Sequence, residues 1–211
     1  MSRFSRVTRW SWFVSGTVLA LALPITRARA VSPDVVISQV YGAGGNSGAT
    51  LRNDFIELFN RGTAAIDLSG WSVQYGPASA ASWQRTNLSG IIQPGQHILV
   101  QEAQGAGGTV NLPTPDVTGT IGMGAGAGIV ALANNTTTFA QGCPTGAQNL
   151  VDLVGYGATT CAETSPTATL TSTTAALRIG GGCVDTDVNQ VDFNTSAPAP
   201  RNSERAQLEL L

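Results

Sequence analysis

The chain has 211 residues, of which 42% are hydrophobic and 11% are charged, and its formal net charge is −2. This balance excludes an intrinsically disordered chain, in which low hydrophobicity accompanies high charge. The 11 basic residues are all arginine and are outnumbered by 13 acidic ones. Direct binding to nucleic acid is therefore disfavoured, because such binding depends on neutralising phosphates.

The first 30 residues have the pattern of a secretory signal peptide. Arginines at positions 3, 6 and 9 precede an apolar run over residues 12–23, and small residues stand at positions 28 and 30. The run is shorter than the ~20 residues of a membrane-spanning helix, so we expect cleavage after Ala30, rather than an uncleaved anchor, and an extracellular protein. Six arginines and all 13 acidic residues remain after cleavage, so the exported chain has a net charge of −7.

Beyond residue 30, short β-strand patterns alternate with turns. The predicted strands are 35–41, 54–60, 65–68, 71–75, 83–88, 96–101, 129–132, 150–156 and, as the last one, 176–179. Long connections rich in Gly, Ser and Thr lie between several of them. Many short strands with tight turns are typical of an antiparallel β-sandwich. The sequence thus predicts one all-β domain over residues 31–200 and a short tail over 201–211.

Three cysteines are present in this predicted domain: Cys143, Cys161 and Cys183. Two of them should pair in an exported protein. We prefer Cys143–Cys161, because the segment between them has a loop–strand–loop pattern, with Cys161–Cys183 as the alternative. The third cysteine is then a buried thiol or a link to another chain. A zinc site is disfavoured, since there is no Cys-x-x-Cys and only one histidine.

Five segments of the chain form a recognisable set: residues 37–42 (ISQVYG), 54–60 (DFIELFN), 68–75 (LSGWSVQY), 94–95 (PG) and 151–157 (VDLVGYG). Together they resemble the lamin-tail domain, and most closely its bacterial, secreted branch. The resemblance covers roughly residues 34–160. It implies an immunoglobulin-like β-sandwich and an accessory module, often joined to extracellular nucleases or phosphatases. The family has no established catalytic residues, so none is carried over to this chain.

One acidic loop is a candidate calcium site. Asp185, Asp187 and Asn189 place oxygen ligands at positions one, three and five of a D-x-[DN]-x-[DN] pattern, and Asp192 follows. An EF-hand is excluded, because Gln190 replaces the required glycine and the glutamate at position twelve is missing. The alternative is a solvated turn of Asp and Asn residues that closes the last strand.

Other conspicuous residues are predicted to be structural: Asp54, Glu57, Asn60, Gly70, Trp71 and Gly95. Asp54 and Glu57 are three apart in a strand and point to opposite faces, so they do not form a paired carboxylate site. Glu57 shares a face with Phe55 and Phe59, which we expect to be the inner one. Its expected partner is Arg61 or a backbone N–H in the following turn.

We predict no catalytic residue and no cofactor other than the possible calcium. His97, the sole histidine, has no nucleophile motif near it in sequence, and the glycine-rich segment 42–48 lacks the lysine of a phosphate-binding loop. The predicted function is a secreted, non-catalytic binding module for a protein, a cell-surface polymer or extracellular DNA. The alternatives are an accessory part or remnant of a metal-dependent nuclease or phosphatase, and a disulfide-linked structural surface protein.

Overall fold

The computed structural model describes Ser32 and residues 34–204, so the predicted signal peptide lies outside the described residues. Their strands are β1 Val35–Tyr41, β2 Asn53–Asn60, β3 Ile66–Asp67, β4 Ser72–Gly76, β5 Gln84–Asn87, β6 Ile91–Ile92, β7 His97–Gln104, β8 Val117–Thr118, β9 Gly128–Ala133, β10 Leu150–Tyr156, β11 Ala175–Arg178 and β12 Phe193–Ser196. A 3-10 turn, Gly180–Gly182, and a one-turn helix, α1 Asn189–Asp192, lie between β11 and β12.

These strands form two main sheets. One has six strands in the order β12-β11-β1-β2-β7-β8, and the other has four in the order β10-β9-β4-β5. Every pairing within them is antiparallel except that of β7 with β8. The short strands β3 and β6 pair separately. The predicted all-β antiparallel sandwich is confirmed.

The main core fills the space between the two sheets. β2 contributes Ile56 and Leu58, while β4 and β9 contribute Val73 and Leu132 from the opposite sheet, and all four are fully buried. Alternate residues of a strand point to one face, which explains this two-residue spacing. Burying each such side chain contributes roughly 1.5–3 kcal/mol.

The six-stranded sheet is buried on its outer face as well. Every residue of β1 and β2 is buried, although alternation in an antiparallel sheet commonly leaves one face to solvent. A second apolar cluster covers this face, where Tyr41 and Phe55 pack with Leu51 and Leu112 from two long loops. The long connections therefore act as an outer layer. Phe55 packs against them and so lies on the outer face of the sheet, not on the inner face as expected.

Residues 197–203, which we name the C-terminal strap, cross the same outer face. The Gln39 amide on β1 binds both main-chain groups of Ala199, at 3.0 and 2.8 Å. Arg201 binds Glu57 on β2, and the Ser203 N–H donates to Asp116 just before β8. The first residues of the predicted tail are thus hydrogen-bonded to the sandwich.

Two further features of the C-terminal part concern the sequence predictions. The predicted Cys143–Cys161 disulfide is confirmed, with the Cα atoms 5.4 Å apart. Segment 176–179 is not the last strand, because β12 follows it. β12 escaped prediction because three of its four residues are exposed, so it shows no apolar alternation. Among the described residues, no helix is long and apolar enough to cross a membrane.

Candidate functional site

A groove of about 390 Å³ lies on the outer face of the six-stranded sheet, and we name it the outer groove. Its floor includes Gln39 from β1, Leu177 from β11, and Asn194 and Ser196 from β12. The 3-10 turn forms one wall and the strap, through Ala199 and Arg201, forms the other. This volume is typical of binding sites for small ligands or peptide side chains.

The groove is bordered by one partly exposed cationic side chain. The Arg201 side chain is 27% exposed, whereas its partner Glu57 is fully buried beneath it. The Arg201 Nη2 and main-chain N–H donate to the two oxygens of Glu57 at 2.8 and 2.7 Å. No acidic and no aromatic side chain belongs to the lining. Because Glu57 compensates the charge of Arg201, the groove is an essentially neutral surface on an acidic protein.

A buried charge cluster lies behind the groove, on the inner side of β11, and it is centred on Arg178. Its guanidinium donates to both oxygens of Asp152, at 3.1 and 2.9 Å, and to Asp185 at 3.1 Å. It also donates to the Ile37 carbonyl at 2.9 Å and stacks on the Phe193 ring, with its central carbon 4.5 Å from the centroid. Arg178 thus joins β1, β10, β11, β12 and the acidic loop.

Asn189 at the start of α1 completes this connection. Its side-chain oxygen accepts from the Gly155 N–H, and its side-chain nitrogen donates to the Leu153 carbonyl and to the Glu163 carboxyl. These bonds occupy the outer edge of β10. Burial, and then the nearby negative charges of Asp152 and Asp185, raise the pKa of Glu163 to about 9. This environment favours the protonated, neutral form of Glu163.

Asp152, Glu163 and Asp185 each bring one oxygen within 4.8 Å of the others, so they are the metal-ligand candidate of the described residues. The Asp152 oxygens, however, already accept from Arg178 and from the Ile37 and Leu153 N–H groups. A carboxylate offers about four lone-pair sites, and all four are used. The Arg178 guanidinium fills the position that a cation would take.

The residues of the predicted calcium loop have separate roles in the structure. Asp185 pairs with Arg178 and lies 3.7 Å from Arg61, while Asn189 binds β10. Asp192 accepts from the Thr186 N–H and hydroxyl and from the Val188 N–H, which closes the loop. Asp187 has a left-handed backbone, with φ of 58°. Calcium binding by these four residues stays a prediction.

The sole histidine lies near a carboxylate but not in an open site. His97 Nε2 is 4.0 Å from Glu57 Oε1, and the His97 ring packs on Phe59 with centroids 4.6 Å apart. The Ser38 hydroxyl donates to Glu57 at 2.6 Å. Glu57 is therefore partnered by Arg201 and Ser38, not by Arg61 or a backbone N–H of the following turn as expected from sequence, and the strap covers it. This arrangement stabilises the sheet and offers no open site for a substrate.

Two other buried carboxyls hold loops to the opposite end of the sandwich. Asp54 accepts from the Gly44 and Met123 N–H groups, and Glu102 accepts from the Ile121 N–H, each at 2.8 Å. Burial raises the pKa of Asp54 to about 6 and that of Glu102 to about 7. Asp54 thus anchors the glycine-rich segment 42–48 against the sheet.

The remaining structural candidates lie at turns or in the core. The Asn60 side chain donates to the Ala64 and Ile92 carbonyls and accepts from the Gly62 N–H, so it shapes the turn after β2. Gly70 and Gly95 have φ of 82° and 74°, the left-handed region that favours glycine. Trp71 is half-buried and packs against the main core.

Cys183 is the free cysteine of this chain and is exposed. Its carbonyl accepts from Arg61, and it directly follows the 3-10 turn beside the groove. A disulfide link to another chain through this thiol stays a prediction. A non-reducing gel tests it, because linked dimers would disappear on addition of a reductant.

Sequence reasoning missed Asp152, Glu163 and Arg178 as a connected group. A signal was present for two of them: Asp152 interrupts the apolar run of β10, and Arg178 stands between Leu177 and Ile179. A charge in a fully buried strand needs a partner, so one acid and one arginine of this kind could have been paired. No comparable signal pointed to Glu163.

The family match covers most of the sandwich but little of the groove. The model of the Lamin Tail Domain matches residues 28–158, which is more than half of the chain. Among proteins with curated descriptions, none matches. Of the groove floor, only Gln39 falls in the matched range, since β11, β12 and the strap come after it. On the strength of this match and of the antiparallel sandwich, the chain belongs to the lamin tail domain family, a family of non-enzymatic immunoglobulin-like domains.

Proposed function

We propose that the protein is a secreted, non-catalytic module that binds a partner protein through the outer groove. The observation that carries this proposal is the groove itself, a concave surface of about 390 Å³ that a covering strap and a glycine turn enclose on two sides. The lamin tail domain is a protein-interaction type of domain. A disulfide between Cys143 and Cys161 suits an oxidising, extracellular compartment.

A protein partner fits the groove better than DNA does. Single-stranded DNA is held by cationic tracks with aromatic side chains on which bases stack. The groove has one partly exposed arginine, which is already paired with Glu57, and no aromatic side chain, and residues 31–211 carry a net charge of −7. A cell-surface polymer remains the alternative occupant, and the binding experiment below includes it.

The experiment blocks the groove. Ser196→Trp places a large side chain on the groove floor, and Asn87→Trp is the matched control, at another exposed position, on β5 of the other sheet. Random nine-residue peptides displayed on phage are selected on the wild-type protein, in parallel with purified cell-wall polysaccharide and single-stranded DNA. We expect peptides whose binding is lost in Ser196→Trp and kept in Asn87→Trp. Failure to recover such peptides would refute the proposal.

A second assay addresses catalysis. The purified protein is incubated with DNA, RNA and a chromogenic phosphodiester in the presence of magnesium, calcium or manganese. We expect no turnover above the protein-free control, because the buried carboxylates Glu57, Asp152 and Asp185 are already paired with arginines. Hydrolysis at an enzyme-like rate of ~1 per second would instead favour the remnant of a metal-dependent nuclease or phosphatase. An accessory module that acts beside a separate enzyme would still pass this test.

A further inference from the structure

We propose that the outer face of the six-stranded sheet carries a binding track for an extended, arginine-bearing segment of a partner protein, and that the C-terminal strap is an internal ligand which this segment replaces. The track consists of the side chains of Gln39, Glu57, Gln96 and Asp116. This inference rests on the proposed function, from which it takes a protein as the partner, and it deepens that function by naming the segment that the partner brings.

The track binds the main chain of every second strap residue. The Gln39 amide donates to the Ala199 carbonyl at 3.0 Å and accepts from the Ala199 N–H at 2.8 Å. Two residues further on, Glu57 accepts from the Arg201 N–H at 2.7 Å. The other two side chains of the track bind the carbonyl and the N–H of Ser203, at 3.2 and 3.1 Å. A spacing of two residues is that of an extended chain, so the track recognises an extended main chain.

One side chain of the strap is recognised as well, and it is that of Arg201. Its Nη2 donates at 2.8 Å to Glu57, whose carboxylate is fully buried and also accepts from the Ser38 hydroxyl. A buried carboxylate requires a cation and hydrogen bonds in compensation. Arginine suits this position better than lysine, because its planar fork of donors matches the geometry of a carboxylate. Any segment that replaces the strap must therefore bring an arginine to Glu57.

The strap is held by polar contacts, which makes its replacement feasible. No residue of 197–203 belongs to the three hydrophobic clusters of the described residues. Ala197 and Ala199 are exposed, and Pro198 and Pro200 are only partly buried. Segments with few buried apolar contacts open at a low free-energy cost. The strap can thus leave the sheet while the apolar core stays intact.

The track and its occupant lie in different parts of the chain. All four track residues fall within residues 28–158, which the Lamin Tail Domain model matches, whereas the strap follows that range. The track therefore belongs to the matched domain, and the strap is an appendage at the end of it. A segment of another chain with the same chemistry would meet the same groups.

Charge selects among the occupants of the track. Departure of the strap would leave Glu57 buried without Arg201, so a neutral or acidic segment is a poor replacement. The net charge of −7 over residues 31–211 attracts a basic segment. A second copy of this chain would bring the same strap, but also a second body with a charge of −7, and their repulsion opposes the exchange. A basic segment of another protein is therefore the occupant.

The experiment vacates the arginine position and offers a replacement. Arg201→Met in the full chain removes the guanidinium, and Arg85→Met is the matched control, at an exposed arginine on β5. The probe is a fluorescent, end-capped peptide with the sequence of residues 197–203, Ala-Pro-Ala-Pro-Arg-Asn-Ser. A second peptide has citrulline in place of arginine, which keeps the shape and removes the charge. Binding is measured by anisotropy at about pH 8, where an ordinary histidine is neutral, because His97 lies 4.0 Å from Glu57.

We expect the arginine peptide to bind Arg201→Met at least ~10-fold more tightly than the wild type or Arg85→Met. In those two proteins the attached strap competes at an effective concentration on the order of 1 mM. Citrulline should weaken the binding to Arg201→Met at least ~10-fold, because one partner of a buried charge pair is then missing. The nine-residue phage library, screened on Arg201→Met, should return peptides that share an arginine.

Hydrogen exchange tests the wild-type protein, including the case in which Arg201→Met does not fold. The Ala199 and Arg201 amides, which donate to Gln39 and Glu57, should exchange at least ~100-fold faster than that of Ile56 in β2, because the strap opens without global unfolding. Equal exchange rates would identify the strap as a permanent part of the sandwich and would overturn the inference.

Three further results would overturn it. A folded Arg201→Met that binds neither peptide, or binds both equally, would exclude recognition of arginine by Glu57. Library peptides that bind the wild type and are lost in Ser196→Trp, together with no peptide binding to Arg201→Met, would leave the proposed function in place and exclude the track. A wild-type dimer in sedimentation experiments that excess arginine peptide dissociates would identify a second copy as the occupant.

Discussion

The buried cluster around Arg178 provides the most direct test of how the C-terminal segment is held. Arg178→Met keeps the length of the side chain and its packing on Phe193 but removes the guanidinium. The substitution removes hydrogen bonds to Ile37, Asp152 and Asp185, and it leaves the fully buried Asp152 without a counter-ion. Asp185 keeps only the looser contact with Arg61 at 3.7 Å.

The expected loss follows from the burial of this pair. Removing one partner of a buried ion pair costs about 3–5 kcal/mol, because the other charge is left uncompensated. Urea unfolding measures the loss, and with a slope of about 2 kcal/mol per molar the midpoint should fall by ~2 M. The matched control is Arg85→Met, since Arg85 on β5 is exposed, and a change within about 0.5 kcal/mol is expected there.

A double variant separates the charge from the packing. Adding Asp152→Asn to Arg178→Met removes the uncompensated charge, so the double variant should be more stable than Arg178→Met alone. The difference from additivity should be at least about 1 kcal/mol for residues in direct contact. A loss below about 1 kcal/mol in Arg178→Met would refute the reasoning, because it would mean that Arg178 is not required to hold β10 against β11.

Two further predictions concern stability. Burial raises the pKa of Glu102 to about 7 in the folded protein, from about 4.5 in the unfolded chain. The folded state is therefore favoured while Glu102 is protonated, below pH 4.5, and this contribution is lost as the pH rises through 7. Glu102→Gln should reduce the fall in unfolding free energy between pH 4.5 and 8 by up to about 3 kcal/mol, measured by urea unfolding at each pH. An equal fall in wild type and variant would contradict this prediction. Replacing Cys143 and Cys161 together by Ala should lower stability by about 3 kcal/mol, as expected for a loop of this length. Cys183→Ser, at an exposed free thiol, should leave the melting temperature unchanged. A loss of stability in Cys183→Ser, with none in the double Cys143 and Cys161 variant, would be incompatible with the Cys143–Cys161 disulfide.

Local patterns in the sequence predicted the fold well. Residues 71–75 alternate between apolar and polar, and residues 54–60 form an apolar run that a polar residue ends; the structure has them in β4 and β2, in opposite sheets. The Cys143–Cys161 pair could be predicted because the segment between its cysteines is short and strand-like. These features depend on residues that are close in sequence, so a local sequence pattern can predict them.

Features of the candidate site depend on distant residues instead. Glu57 was expected to pair with Arg61 or with a backbone N–H of the next turn, but its partner Arg201 is 144 residues away. The outer face of β2 is buried because a strap and two loops cover it; Phe55 and Phe59 on this face indicate that it is covered, but not which segments cover it. Residues 185–192 resemble a cation loop because their carboxylates are close in sequence. The position of Arg178 among them is a property of the tertiary structure.

The long separations also set the order in which the chain can fold. Ile37 meets Asp152 across 115 residues, Asn202 meets Thr114 across 88, and Arg201 meets Glu57 across 144. Contacts of high sequence separation form slowly, because a long loop must close before they stabilise the chain. The hairpin of β1 and β2 is complete early in synthesis, but its outer face stays uncovered until residue 203 has left the ribosome. Until that point the half-covered sheet is the species most open to chaperones, proteases and aggregation, so substitutions in the strap should reduce the yield of folded protein.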